Sequence, residues 1–132
     1  MGFDRTEILV RTGDGRNATL VEAFSFTTKA GTVITVPAGS QSDGASTPRA
    51  IWQLLPPFGR YWLAAFLHDF LYRYTYLPKA YCDSIVLEAM EWLDVDPVES
   101  KAIYDGVAIG GQAAFDADRA ALDAEMAAAR QA

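Results

Sequence analysis

Cysteine and histidine are nearly missing from this chain: Cys82 and His68 stand alone among 132 residues. A single cysteine excludes an internal disulfide, so the fold does not depend on an oxidising compartment. One cysteine and one histidine also rule out a structural zinc site of the usual Cys/His type. Basic residues are in deficit, with 11 Lys and Arg against 17 Asp and Glu, and the net charge is −6. No basic stripe interrupts that balance, which argues against nucleic acid as a partner. The same charge disfavours docking on an anionic membrane. No apolar run is long enough to span a bilayer, and Met1 to Glu7 lack the apolar core of a signal peptide. The expectation is a soluble product made in a cytoplasm.

Apolar residues are not scarce. A hydrophobic content of 51% with 21% charged residues belongs to a folded globular chain. The length suits one domain, 1–132, with a core that needs no covalent staple. The fold class expected is α+β: a small antiparallel β-meander over 1–37, a loop over 38–49, and three to four helices over 50–132.

Thr6 to Arg11 reads as a first strand with Ile8 and Val10 on one face. The glycine-rich stretch from Thr12 to Asn17 is a turn signal. Ala18 to Thr28 reads as one second strand, because Leu20, Phe24 and Phe26 share a face at period two. Thr32 to Val36 gives a third, stopped by Pro37. Beyond the loop, Thr47 and Pro48 are suited to cap and open a short helix through Leu55. A helix from Arg60 to Tyr74 carries Leu63, Phe66, Leu67, Phe70 and Leu71 at three/four spacing. The next starts at Leu77-Pro78 and runs to Leu93. The last opens at Asp96-Pro97-Val98-Glu99, a capped start, and loosens at Gly110-Gly111.

His68 is the chain's one near-neutral base. Its neighbour Asp69 lies beside an apolar helical stripe, Tyr72 follows one turn later, and Asp83 falls among apolar positions of the next helix. Acidic groups in apolar surroundings require donors, cations or a purpose. One reading is a core histidine bonded to a carbonyl or to Tyr72; the other joins His68, Asp69 and Asp83 in one functional cluster. In the preceding loop, Asp43-Gly44 reads as a turn and Ser46-Thr47 as a helix cap, with Asp43 also a candidate cation ligand. The dense aromatic and proline cluster from Ile51 to Trp62 reads as core, and Cys82 as a buried small apolar residue.

His68-Asp69-x-x-Tyr72 on one helix, with Asp83 on the next, resembles the core of the phospholipase A2 superfamily. The resemblance implies His68 as base, Asp83 as its orienting carboxylate and Tyr72 as a network member. It also implies Asp69 as a calcium ligand. The glycine-rich calcium loop of that superfamily is not matched: the nearest glycine before the histidine helix is Gly59.

A wider stretch, from about Val36 to Met90, resembles a family of small bacteriophage and prophage proteins, DUF1353. The match rests on Ser42-Asp43-Gly44-Ala45-Ser46-Thr47-Pro48-Arg49, Trp52, Pro57, Tyr61, Ala65 to Tyr72, and Asp83. It implies a phage origin and carries no activity with it; one expectation is a structural or accessory protein associated with the virion or its tail. Its partners would be other virion proteins or further copies of itself. The alternative is a calcium-dependent ester hydrolase acting on the host envelope during entry or lysis.

Overall fold

The structure is a computed structural model that describes residues 2–5, 7, 9–12, 18–42 and 61–131. The helix expected over Pro48 to Leu55, the loop carrying Asp43, the aromatic cluster before Trp62 and Ile8 lie outside the described residues.

The N-terminal part is antiparallel throughout, as the alternating pattern predicts, but it forms two small sheets instead of one meander. Strands β1 (Gly2–Phe3), β4 (Phe24–Thr27) and β5 (Val33–Val36) make one sheet in the order β1-β4-β5. Strands β2 (Val10–Thr12), β3 (Ala18–Leu20) and β6 (Gln41–Ser42) make the other, in the order β2-β3-β6. The single strand expected from Ala18 to Thr28 is therefore broken between Leu20 and Phe24. Glu22 explains the break. Period two would turn it inward between Leu20 and Phe24, yet it is exposed and pairs with Arg5 at 2.8 Å. The chain leaves one sheet at that point and enters the other.

Each sheet buries one face. Phe24 lies opposite Val36 and Phe26 opposite Ile34, and all four side chains are buried. Phe3 of β1 adds its ring to Phe26 at 4.6 Å and to Trp92 at 5.6 Å. Gly2 has φ +99°, and a Cβ there would stand 2.1 Å from the Trp92 indole, so only glycine fits. Strand β6 falls inside the segment expected to be loop; it pairs Ser42 with Ala18 and buries Ser42.

Helix α1 (Tyr61–Tyr74) is followed by α2 (Lys79–Trp92), α3 (Pro97–Gly110) and α4 (Gln112–Gln131). Leu63 to His68, Leu71 and Tyr72 of α1 are all buried. That helix packs against α2 and α4 and also touches β5 and β6, while α2 packs against α3 and meets β1. Asp96 caps α3 as its sequence predicts, accepting from the Val98 and Glu99 amides at 2.8 and 3.3 Å, with Pro97 in the first turn. No helix among the described residues is long and apolar enough to cross a membrane.

Candidate functional site

His68 and Tyr72 lie one turn apart on α1, and Lys79 and Asp83 one turn apart on α2, so each pair shares a helix face. Packing α1 on α2 brings the two faces together. His68 Nε2 lies 2.8 Å from Asp83 Oδ1, and the Tyr72 hydroxyl donates to the same oxygen at 2.5 Å. Lys79 Nζ donates to Asp83 Oδ2 at 2.8 Å. The ammonium also reaches the Val107 and Ala108 carbonyls at 2.9 and 3.2 Å, at the negative end of the α3 dipole. The His68 and Tyr72 rings are in contact, with centroids 4.1 Å apart, and Phe115 meets Tyr72 edge-on at 5.1 Å. The cluster thus joins four helices.

It is also sealed. The His68 and Asp83 side chains retain 1% and 4% of their surface, and Tyr72 is fully buried. Burial pushes the Asp83 carboxyl up, but the bonds from His68, Lys79 and Tyr72 outweigh it and hold the group below the ordinary carboxylate range. An ionised carboxylate only accepts, so Nε2 of His68 carries a proton and donates it to Asp83 Oδ1. Burial, and then the bond to Asp83, raise the Tyr72 phenol far above its usual value. Burial also pushes the Cys82 thiol up to about 11, against the opposing charge of Arg119; this cysteine is the inert core residue expected.

Three of the residues proposed from sequence therefore meet: His68, Tyr72 and Asp83. Asp69 does not join them. It is half-buried and accepts a hydrogen bond from the Ser42 hydroxyl of β6. Asp43, the other proposed cation ligand, lies outside the described residues. Among the described residues, no group of three or more His, Cys, Asp and Glu side chains is arranged to hold a metal ion. In donor type, Asp69 and the Ser42 hydroxyl are oxygen groups of the sort a hard cation such as calcium takes.

Sequence reasoning missed Lys79, Ser42 and Arg119. Lys79 had a signal: a buried aspartate asks for a cation, and the lysine stands one turn before it. Arg119 of α4 donates to the Tyr72 and Leu71 carbonyls at 3.0 and 3.3 Å and to the Leu77 carbonyl, closing the C-terminal end of α1.

These shifts fix the sign of the pH dependence. A carboxyl held low in the fold contributes stability above its unfolded value, about 3.9, and loses it as pH falls through the folded value. Tyr72 and Cys82 act oppositely. Their contributions are present below unfolded values of about 10 and about 8.5 and vanish as pH rises through the folded ones. Urea midpoints measured against pH will show a neutral plateau, an acid limb below about pH 4 and an alkaline limb above about pH 9. In Asp83→Asn the acid limb will flatten. An unchanged limb would mean that this carboxylate is not held ionised in the fold.

Fold and site together define an α+β protein whose two sheets precede four described helices, pinned by a buried His–Asp–Tyr–Lys cluster. The chain belongs to the DUF1353 family: the family, described as a protein of unknown function, matches residues 18–107. The match holds both sheets' central strands and the whole cluster, and it is wider than the 36–90 stretch on which the resemblance rests. No curated protein and no solved structure matches the chain.

Proposed function

We propose that this is a structural or accessory protein of a bacteriophage particle, associated with the tail, whose histidine–aspartate cluster holds its helices together. The observation that carries the reading is the closure of the cluster. His68 and Asp83 are almost wholly removed from solvent, and both Asp83 oxygens are taken by protein donors. A general base needs its substrate within hydrogen-bonding reach, and a sealed imidazole offers none. Lys79 also neutralises the carboxylate that would otherwise stabilise an imidazolium. The viral setting is supported by the resemblance of the Ser42 to Arg49 and Ala65 to Tyr72 stretches to small phage and prophage proteins.

One observation favours the hydrolase alternative. The 2.8 Å bond from His68 to Asp83 fixes the tautomer a water-activating base requires, and Asp69 stands next in the chain with an oxygen partner in Ser42. Calcium, if held by Asp69, would polarise an ester carbonyl.

The two readings separate in one set of measurements. Calcium titration of wild type and Asp69→Asn is run beside fatty-acid release from phospholipid vesicles and urea unfolding of His68→Ala. The structural reading expects no Asp69-dependent calcium binding and no hydrolysis. It also expects a stability loss of about 2–4 kcal/mol in His68→Ala, from a buried cavity and the loss of one of the three donors to Asp83. Calcium-dependent hydrolysis abolished in a stably folded His68→Ala would overturn it.

A further inference from the structure

Helices α2 and α3 fold back on each other through the turn Leu93 to Asp96, and a groove lies along their seam. It encloses about 500 Å³, a size at which surface pockets take ligands or anchoring side chains. Leu87 and Val95, both half-buried, form its floor with Pro97 and the body of Tyr104. The described residues that line it all come from α2, α3 and the turn between them.

The rim is acidic. Glu91, Asp94 and Asp105 stand around the groove, with Lys101 the one basic residue in its described lining. From Glu88 to Asp105 the chain has six acidic residues and one basic, while its whole net charge is only −6. Lys29 reaches in from the β4–β5 turn to pair with Glu91, and Lys101 pairs with Asp105, each at 3.0 Å. Both pairs are exposed and hold weakly, and they leave the carboxylates in excess. Asp94 follows α2 with φ +59°, in the left-handed region where glycine is the usual residue. Its amide reaches the Glu91 carbonyl and the Val95 amide the Met90 carbonyl, each at 3.1 Å. An aspartate there sets a carboxylate at the negative end of the α2 dipole, a placement that a bound cation relieves.

An apolar floor under a rim of surplus carboxylates is complementary to an apolar stripe flanked by lysine or arginine. The walls are two packed helices, so the element whose ridges fit between them is a third helix. We propose that this groove docks a basic amphipathic helix of a partner protein. Its apolar stripe would cover Leu87, Val95 and Tyr104, and its cationic side chains would face Glu91 and Asp94. This inference goes beyond the proposed function and does not depend on the role of the buried cluster.

The probe is a fluorescein-labelled peptide of leucine and lysine with its leucines at three/four spacing. Its anisotropy is read against the full-length protein at physiological salt. A peptide of the same composition, with leucine and lysine alternating, controls for charge alone. The helical peptide should bind with a Kd below about 100 μM, and the alternating one about tenfold more weakly. Glu91→Gln combined with Asp94→Asn removes two exposed carboxylates and should weaken the helical peptide about tenfold. Tyr104→Ala should weaken it by a similar factor through the floor. Asp116→Asn combined with Asp123→Asn makes the same change of charge on α4 and should leave binding within about twofold of wild type. Amide shifts on adding the helical peptide should gather between residues 87 and 105. No binding, binding indifferent to Tyr104, equal losses in the two charge variants, equal affinity for the two peptides, or shifts centred elsewhere would each overturn the proposal.

Discussion

Asp83→Ala will lower the unfolding free energy by about 4 kcal/mol, the cost of breaking a buried charge network by removing its central partner. Three donors meet on that carboxylate: His68 Nε2, the Tyr72 hydroxyl and the Lys79 ammonium. Without it, the first two are stranded in a region closed to water. Lys79 keeps the Val107 and Ala108 carbonyls but loses its countercharge. Asp83→Asn preserves the shape and one acceptor oxygen, and is expected to lose about 2–3 kcal/mol. Tyr72→Phe removes one donor, leaves Asp83 two others, and should cost only about 1 kcal/mol. The order alanine, asparagine, then the tyrosine variant is what a carboxylate-centred network requires. Urea unfolding of the three variants at neutral pH checks it. A loss below about 1 kcal/mol for Asp83→Ala would mean the charge is solvated in the native state, and the structural role proposed for the cluster would fail with it.

The same carboxylate shows how far the sequence could be read. Asp83 is legible because Val86, Leu87 and Met90 follow it at three, four and seven residues; Val86 and Met90 are buried in the fold and Leu87 is half-buried. Helical spacing then placed His68 and Tyr72 on one face. Those inferences need only local periodicity, and so do α1, α2 and the Asp96 cap; the last expected helix, loosened at Gly110-Gly111, divides there into α3 and α4. What stayed hidden depends on pairing across distance. Strand β1 is two residues long, and its partner lies more than twenty residues away. Strand β6 likewise has no hydrophobic alternation of its own; it exists because Ala18 and Thr19 are there to pair with it. The split between β3 and β4 was nearer to legible, since Glu22 occupies the inward position. Period-two matching counted Leu20, Phe24 and Phe26 and passed over the charge between them. Asp69 was grouped with His68 by adjacency in sequence, but successive helix residues point about 100° apart. That angle sends Asp69 to Ser42 and the sheet, while His68 faces Asp83.

Arg119 is the larger omission, and the second major loss of stability is expected there. In sequence it is one charge on an alanine-rich amphipathic helix, which predicts an exposed side chain. In the fold it is half-buried, with its guanidinium over the Phe115 ring at 4.4 Å and its donors on carbonyls of Leu71, Tyr72 and Leu77. Leu71 and Tyr72 belong to the last turn of α1, where carbonyls lack helical partners and the dipole is negative. One planar cation therefore closes the end of the helix that carries His68 and Tyr72, and anchors α4 to it. Arg119→Ala leaves the Tyr72 and Leu77 carbonyls without this donor, while Leu71 keeps the Thr75 hydroxyl at 2.6 Å, and should cost about 3 kcal/mol, the scale of hydrogen bonds from a charged donor that is partly shielded from solvent. Arg119→Lys should recover little, because a lysine ammonium cannot span three carbonyls with the fork of a guanidinium. Amide hydrogen exchange localises the effect. Protection should fall across 112–131 and in the last turn of α1, while β4 and β5 keep theirs. Loss spread evenly over both sheets would instead make Arg119 a global support, and its role as the anchor between α1 and α4 would have to be given up.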